Sequence, residues 1–255
     1  LSKVNFLAWE NLASLLEKSS LSSLLHQNLL PLGLKKNFKA LSIEEQKKLL
    51  QSKVLVVGCG GLGGYVLELL ARSGVGKLVF ADGDTFEETN LNRQLFSTLK
   101  NLGQNKALEA KKRLQTIFPF LQLTPLDYFL TEQDLETQIS QVDLVIDCLG
   151  GIGFKPVLIQ KCQQKNIPIV TGAIAGFEGF LSTVLPQSKA PLAFYQGSQE
   201  EGAENTLGSP APMVSLIATL QSAEAISFLR KQKFHLVNKV FYVSLTDFIF
   251  ETYSL

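Results

Sequence analysis

Apolar positions change their period several times along this chain, and each change marks an element. Leu7, Leu12, Leu15, Leu16, Leu24 and Leu25 lie among serines and charges, which predicts one or two short helices over residues 6–30. Pro31 to Lys39 interrupts them. Ser42-Ile43-Glu44-Glu45 then has the form of a capping box and predicts a helix to about Gln51. Val54 to Val57 is a continuous β-branched and apolar run, the mark of a strand buried on both faces. Glycines follow at once, from Gly58 to Gly64. Leu62, Tyr65, Val66, Leu69 and Leu70 next take a helical spacing that stops before Gly74.

The alternation continues downstream. Leu78 to Ala81 and Leu121 to Leu126 predict strands, separated by an amphipathic helix over Ala107 to Phe118 that Pro119 ends. Thr131 to Ile139 predicts a helix with a capping threonine and early acids, Val142 to Cys148 a buried strand, and Phe154 to Asn166 a helix that tolerates Pro156 in its first turn. Pro168 to Val170 is a short strand, Gly172 to Gly179 a glycine-bearing turn, and Phe180 to Leu185 a strand ended by Pro186. Gln187 to Pro212 is a long loop carrying Glu200, Glu201 and Glu204, and loops of that length in compact domains usually serve a function. Met213 to Arg230 predicts a long helix. Val240 to Val243 and Phe248 to Phe250 predict a hairpin around Thr246-Asp247. The expected fold is α/β: a Rossmann-like mixed sheet, mostly parallel with antiparallel C-terminal strands, and helices on both faces.

Composition narrows the classes. With 255 residues and 45% hydrophobic content the chain can bury a sizeable core. A formal charge of +1 argues against nucleic acid as a partner, and no uninterrupted apolar run reaches the length of a membrane span. Lys3 to Leu30 is too polar for a secretion signal, and a chain starting at Leu1 leaves room for residues upstream. Cys59, Cys148 and Cys162 stand alone, with no Cys-x-x-Cys pair for zinc, and unpaired thiols suit the cytoplasm. His26 and His235 lie too far from other donors to suggest a metal site.

The candidate chemistry begins at the glycine loop. Strand, glycine turn and helix make an opening suited to phosphate, because glycines admit close backbone approach and a helix N-terminus offers unpaired N–H groups; Gly58, Gly60, Gly61 and Gly63 are the candidates. Asp82 ends the second strand, where a Rossmann unit places the acid that binds ribose hydroxyls; a turn-capping role is the alternative. Thr89, Asn90, Asn92, Arg93 and Gln94 put more hydrogen-bonding capacity into one loop than a linker needs. Lys106 sits in the first turn of its helix, where the dipole disfavours a cation; it is either an ordinary solvated lysine or, with Arg93, a clamp for the β- and γ-phosphates of a nucleotide.

Gly-Cys-Gly-Gly-Leu-Gly, Asp82-x-Asp84, Asn90-Leu91-Asn92-Arg93-Gln94 and Gly-Gln-x-Lys106, in this order and spacing, resemble the MoeB/ThiF/HesA family, bacterial relatives of ubiquitin-activating enzymes, over about residues 33–255. The resemblance implies adenylation of the C-terminal carboxylate of a small ubiquitin-like protein with a Gly-Gly tail, using ATP and magnesium, by a homodimer. It divides the chain into an N-terminal helical extension, residues 1–40, and an adenylation domain, residues 41–255. It gives Arg93, Lys106 and Lys36 catalytic places, Lys36 standing where the family has an arginine that reaches the neighbouring subunit's phosphates; a solvated loop lysine is the alternative there. Lysine lacks the planar fork that grips phosphate in two places.

One departure bears on catalysis. Where family members carry an aspartate for magnesium, this chain has Gly150, followed by Gly151, a pair that would let the backbone approach adenine or ribose. Magnesium would then rest on phosphate oxygens and water, with Asp84 or Asp147 as protein ligands. Relatives also place a cysteine in or after the long loop, and none follows Cys162 here, so adenylation would be the last step. A catalytically weakened scaffold that binds nucleotide or carrier is the first alternative. An NAD-dependent oxidoreductase is the second; it leaves the Asn90 to Gln94 loop and Lys106 without a task.

Overall fold

Two three-residue segments pair with each other before the main sheet begins. In the computed structural model, which describes residues 4–195 and 203–255, β1 (Asn5–Leu7) and β2 (Leu29–Pro31) form a parallel two-stranded ribbon. The expected helices lie between them as α1 (Trp9–Leu16) and α2 (Leu21–His26). The N-terminal segment is therefore not purely helical. Three-residue strands show no period in a sequence and exist only through their partner. Leu25, Leu30 and Leu34 close with Leu50 into an apolar cluster that fastens this segment to α3 (Ile43–Gln51). The capping box forms: the Ser42 hydroxyl accepts from Glu45 N–H at 3.2 Å, and Ser42 N–H donates to the Glu45 carboxylate at 2.8 Å.

Alternating faces of the strands build two cores. In β3 (Lys53–Val57), Val54 and Val56 pack on one side of the sheet and Leu55 and Val57 on the other. The first core is covered by α4 (Gly61–Ser73) and α5 (Lys106–Ile117), which flank β4 (Lys77–Ala81), and the second by α6 (Glu132–Ile139) and α7 (Lys155–Gln164). With β5 (Gln122–Leu126), β6 (Leu144–Asp147), β7 (Ile169–Ala175), β8 (Glu178–Val184), β9 (Lys239–Ser244) and β10 (Ile249–Ser254), the sheet has the order β10-β9-β8-β7-β6-β3-β4-β5. Pairs from β5 to β7 are parallel, and those from β7 to β10 are antiparallel. The expected mixed α/β sheet with helices on both faces is the fold observed.

Several boundaries differ from expectation; β10, for one, runs to Ser254 rather than stopping at Phe250. β7 does not stop at Val170 but runs through Gly172 to Ala175, pairing with β8 across a tight turn at Gly176-Phe177. The long loop contains a short helix, α8 (Glu204–Leu207), whereas Glu200 and Glu201 fall outside the described residues. Downstream, α9 (Ala211–Lys231) is long and apolar enough to cross a membrane by length and composition alone. Here Met213, Val214, Ile217, Ala218 and Ala225 are buried in the first core, where the helix packs on α4 and β7.

Candidate functional site

The strand order reverses between β3 and β6, and ligands of doubly wound sheets bind in the crevice beyond such a point. A cavity of about 830 Å³ opens there. Its floor is laced by backbone: Gly58 N–H donates to Ala81 and Cys148 N–H to Val57, both at 2.9 Å. Gly58 takes φ +99°, and a side chain on Gly63 would begin 1.9 Å from the Gly58 carbonyl oxygen. The loop thus turns sharply and α4 starts close against it. Gly60 is the N-cap of α4 and offers no side chain, so the first-turn N–H groups beside the cavity have no side-chain partner.

Asp82 is fixed by that loop. Its carboxylate accepts from Cys59 N–H at 2.7 Å and from Asp84 N–H at 2.9 Å, which leaves further lone pairs toward the cavity. Burial raises its pKa, opposed by those two N–H bonds and by the charge of Lys106. Burial, with Asp82 second, also holds the Cys59 thiol protonated, so that cysteine is no nucleophile.

Lys106 projects from the start of α5 into the same space. Its backbone N–H donates to the Asp84 carbonyl at 2.9 Å and its ammonium pairs with the Asp84 carboxylate at 3.0 Å. Asn105 caps the helix by accepting from Leu108 N–H and donates to the Asp82 carbonyl, both at 3.0 Å. Arg93 donates through Nη1 to the Thr89 carbonyl at 2.9 Å and to Asn92 Oδ1 at 2.8 Å. Asn90 is buried and its Oδ1 accepts from Glu87 N–H at 3.1 Å, shaping the loop. Gln94 Oε1 is buried without a hydrogen-bond partner among the described residues.

Most of the sequence-predicted residues therefore share one wall: Gly58, Gly60, Gly61, Asp82, Asp84, Thr89, Asn90, Arg93, Gln94, Lys106, Gly150 and Gly151 all line the cavity. Four do not. Gly63 serves the close packing just described, and Asn92 turns to the Ser209 carbonyl at 3.3 Å. Lys36 is exposed on a 3-10 turn, Leu32–Asn37, away from this cavity.

Asp147 is the correction of most consequence. Its carboxylate is fully buried and accepts from Lys155 Nζ at 2.9 and 3.0 Å, from the Thr171 hydroxyl at 2.6 Å and from Leu149 N–H at 3.0 Å. Every acceptor direction of the carboxylate is taken, so it does not serve as a magnesium ligand. Sequence reasoning missed Lys155 because nothing near it signals a partner on another strand. Phe129, Glu87 and Glu204 also line the cavity. Glu204 was visible only as one acid in the long loop; it accepts from Gly151 N–H at 2.7 Å.

This fold and crevice define the doubly wound α/β class with a mononucleotide-type opening. Residues 34–255 match the ThiF family, and the chain belongs to that family. It is 34% identical over 192 residues to the sulfur carrier protein ThiS adenylyltransferase of Escherichia coli, covering 74% of this chain and 76% of that protein. It is 33% identical over 196 residues to the molybdopterin-synthase adenylyltransferase of the same organism, covering 75% and 78%. Among solved structures, E. coli MccB with ATP superposes with a TM-score of 0.73 at 22% identity, over 83% of this chain and 66% of that one, a likeness of fold.

Proposed function

We propose that this chain adenylates the C-terminal carboxylate of a small ubiquitin-like sulfur-carrier protein with a Gly-Gly tail, consuming ATP with magnesium and releasing pyrophosphate. The observation that carries this reading is the convergence of the α4 N-terminus, Asp82, Arg93 and Lys106 on one crevice of a ThiF-family chain. Residues 41–255 form the adenylation unit and residues 1–40 its extension. Three buried thiols with no disulfide suit a reducing cytoplasm.

The chemistry is attack by the carrier carboxylate on the α-phosphorus, with the bond to pyrophosphate breaking. The chain supplies no nucleophile. Asp82 accepts from the ribose hydroxyls, and the α4 N–H groups receive phosphate oxygens. Arg93 and Lys106 neutralise the charge that grows on the leaving pyrophosphate, so they act most strongly in the transition state. Lys106 exchanges part of its contact with Asp84 for phosphate, which frees Asp84 oxygen.

The residues present fit magnesium only together with the nucleotide. Among the described residues no three His, Cys, Asp or Glu groups gather as a metal site, and magnesium characteristically takes one or two carboxylates plus phosphate oxygens and water. Asp84 is the protein group available beside Lys106. Magnesium, when bound, adds positive charge at the phosphates. Lys36, exposed and outside this cavity, acts on the nucleotide of a partner subunit in a homodimer.

ATP-pyrophosphate exchange with purified protein, magnesium and each Gly-Gly-tailed small protein of the source organism tests this. Exchange with one of them names the substrate. ATP binding by calorimetry without any exchange favours a second reading, a nucleotide- or carrier-binding scaffold, which the closed Asp147 and the bare Gly150 support.

A further inference from the structure

The charges on the cavity wall do not balance for a polyphosphate. Asp82, Asp84, Glu87 and Glu204 line it, against Arg93, Lys106 and Lys155. Lys155 is spent: its ammonium donates to both Asp147 oxygens and to the Gly172 carbonyl at 3.0 Å. A wall with more carboxylates than available cations repels a nucleotide triphosphate unless a divalent ion stands between them. The carboxylates differ in what they are already doing. Asp82 holds two loop N–H groups, Asp84 holds Lys106, and Glu87 caps the turn at Asn90.

Glu204 is different. It reaches the cavity from α8, which packs on β7, and its carboxylate has one hydrogen-bond partner among the described residues, Gly151 N–H, through Oε1. That bond fixes the carboxylate beside Gly150, where a Cβ would meet nothing within 4 Å. We propose that Glu204 is a magnesium-positioning carboxylate of this site in addition to Asp84, supplied from α8 at a place where the strand-end turn itself bears no side chain. The proposal rests on the reading of the cavity as a magnesium–ATP site.

The test is calorimetric ATP binding by the full chain, in magnesium and in EDTA, for the unaltered protein, Glu204→Gln and the double variant Glu204→Gln/Gly150→Asp. Glutamine keeps an acceptor for Gly151 N–H and loses only the charge, so thermal melting checks that folding is preserved. Glu204→Gln is expected to lose about tenfold in affinity in magnesium and nothing in EDTA, a size typical of disturbing one group at a metal site. The aspartate at position 150, entering open space next to the same N–H, is expected to restore the magnesium-dependent part. Equal affinity of Glu204→Gln and the unaltered chain in magnesium overturns the proposal. Tighter binding in both conditions also overturns it, because Glu204 would then be a latch that occludes the cavity. An unaltered chain that binds no ATP overturns the underlying reading instead.

Discussion

Two lysine–aspartate pairs of nearly equal length have their lysines on the wall of the same cavity and differ in what surrounds them. Lys155–Asp147 measures 2.9 Å with side chains 2% and 0% exposed; Lys106–Asp84 measures 3.0 Å with 9% and 56% exposed. The closed pair is surrounded by further partners: Thr171 on Asp147, Tyr195 on Thr171 at 2.7 Å, and Gln221 Nε2 on the Asp147 carbonyl at 2.9 Å. It joins β6, β7, α7, α9 and the root of the long loop. The open pair joins only α5 to the turn after β4, and half of it faces water. Distance does not tell structure from function here; the number of competing partners does. A pair with nothing left to offer is a clasp, and one with an exposed partner can trade it for a ligand.

The largest expected effect breaks the closed pair. Lys155→Ala leaves Asp147 charged in a dry interior and should cost about 3–5 kcal/mol, read as a lower urea midpoint. Replacing both partners by apolar residues, Lys155→Met with Asp147→Leu, should cost less than the single change. If the single variant unfolds at the wild-type midpoint, the clasp assignment fails. Lys106→Ala should do the reverse: a loss of about 10²–10³ in exchange rate, the scale for removing one transition-state donor, with stability changed by only about 1 kcal/mol because Asp84 already meets solvent. Undiminished exchange would exclude Lys106 from the phosphates. Tyr195→Phe, which strips one hydroxyl from the closed network, should cost about 1 kcal/mol in the same denaturation assay.

The smallest effect is in pH dependence, where two carboxylates have opposite signs. Glu45 is held down to about 2 by the Ser42 N–H, below its usual value of 4.5, so its contribution is present above the unfolded value and is lost as pH falls toward 2. Asp82 is raised by burial, so its ionisation opposes folding, and protonation on acidification relieves that opposition. ATP affinity should nevertheless weaken as pH falls through the raised Asp82 value, because the protonated acid is a poorer ribose acceptor. An affinity flat down to the ordinary carboxylate range would remove Asp82 from the ribose.

Local signals carried most of the fold. The Val54–Val57 run, the Ser42 capping box and the five leading residues of the α4 stripe each act within a few neighbours, and each forms as read. The wall from Gly58 to Lys106 was legible for the same reason: its residues lie on consecutive strand-end loops of one parallel unit. What escaped depends on distant pairing. β1 and β2 need each other, β7 needs β8 to carry a glycine-rich run as strand, and the fate of Asp147 is decided by Lys155, Thr171 and Gln221 from three other elements. Glu204 stayed hidden because an irregular loop has no period from which to read where a side chain lands.

The dependence of the cavity on α9 has a consequence for biosynthesis. Val214 packs 3.2 Å from where a side chain on Gly61 would begin, and Gln221 holds the Asp147 carbonyl. A ribosome that has released the glycine loop, Asp82 and Lys106 has still not made the helix that braces them. The nascent chain therefore carries every residue proposed to hold phosphate long before it carries the helix that braces them. ATP cannot act as an early folding aid, and an enzyme truncated before Ala211 should emerge with its chemistry written out and nowhere to perform it.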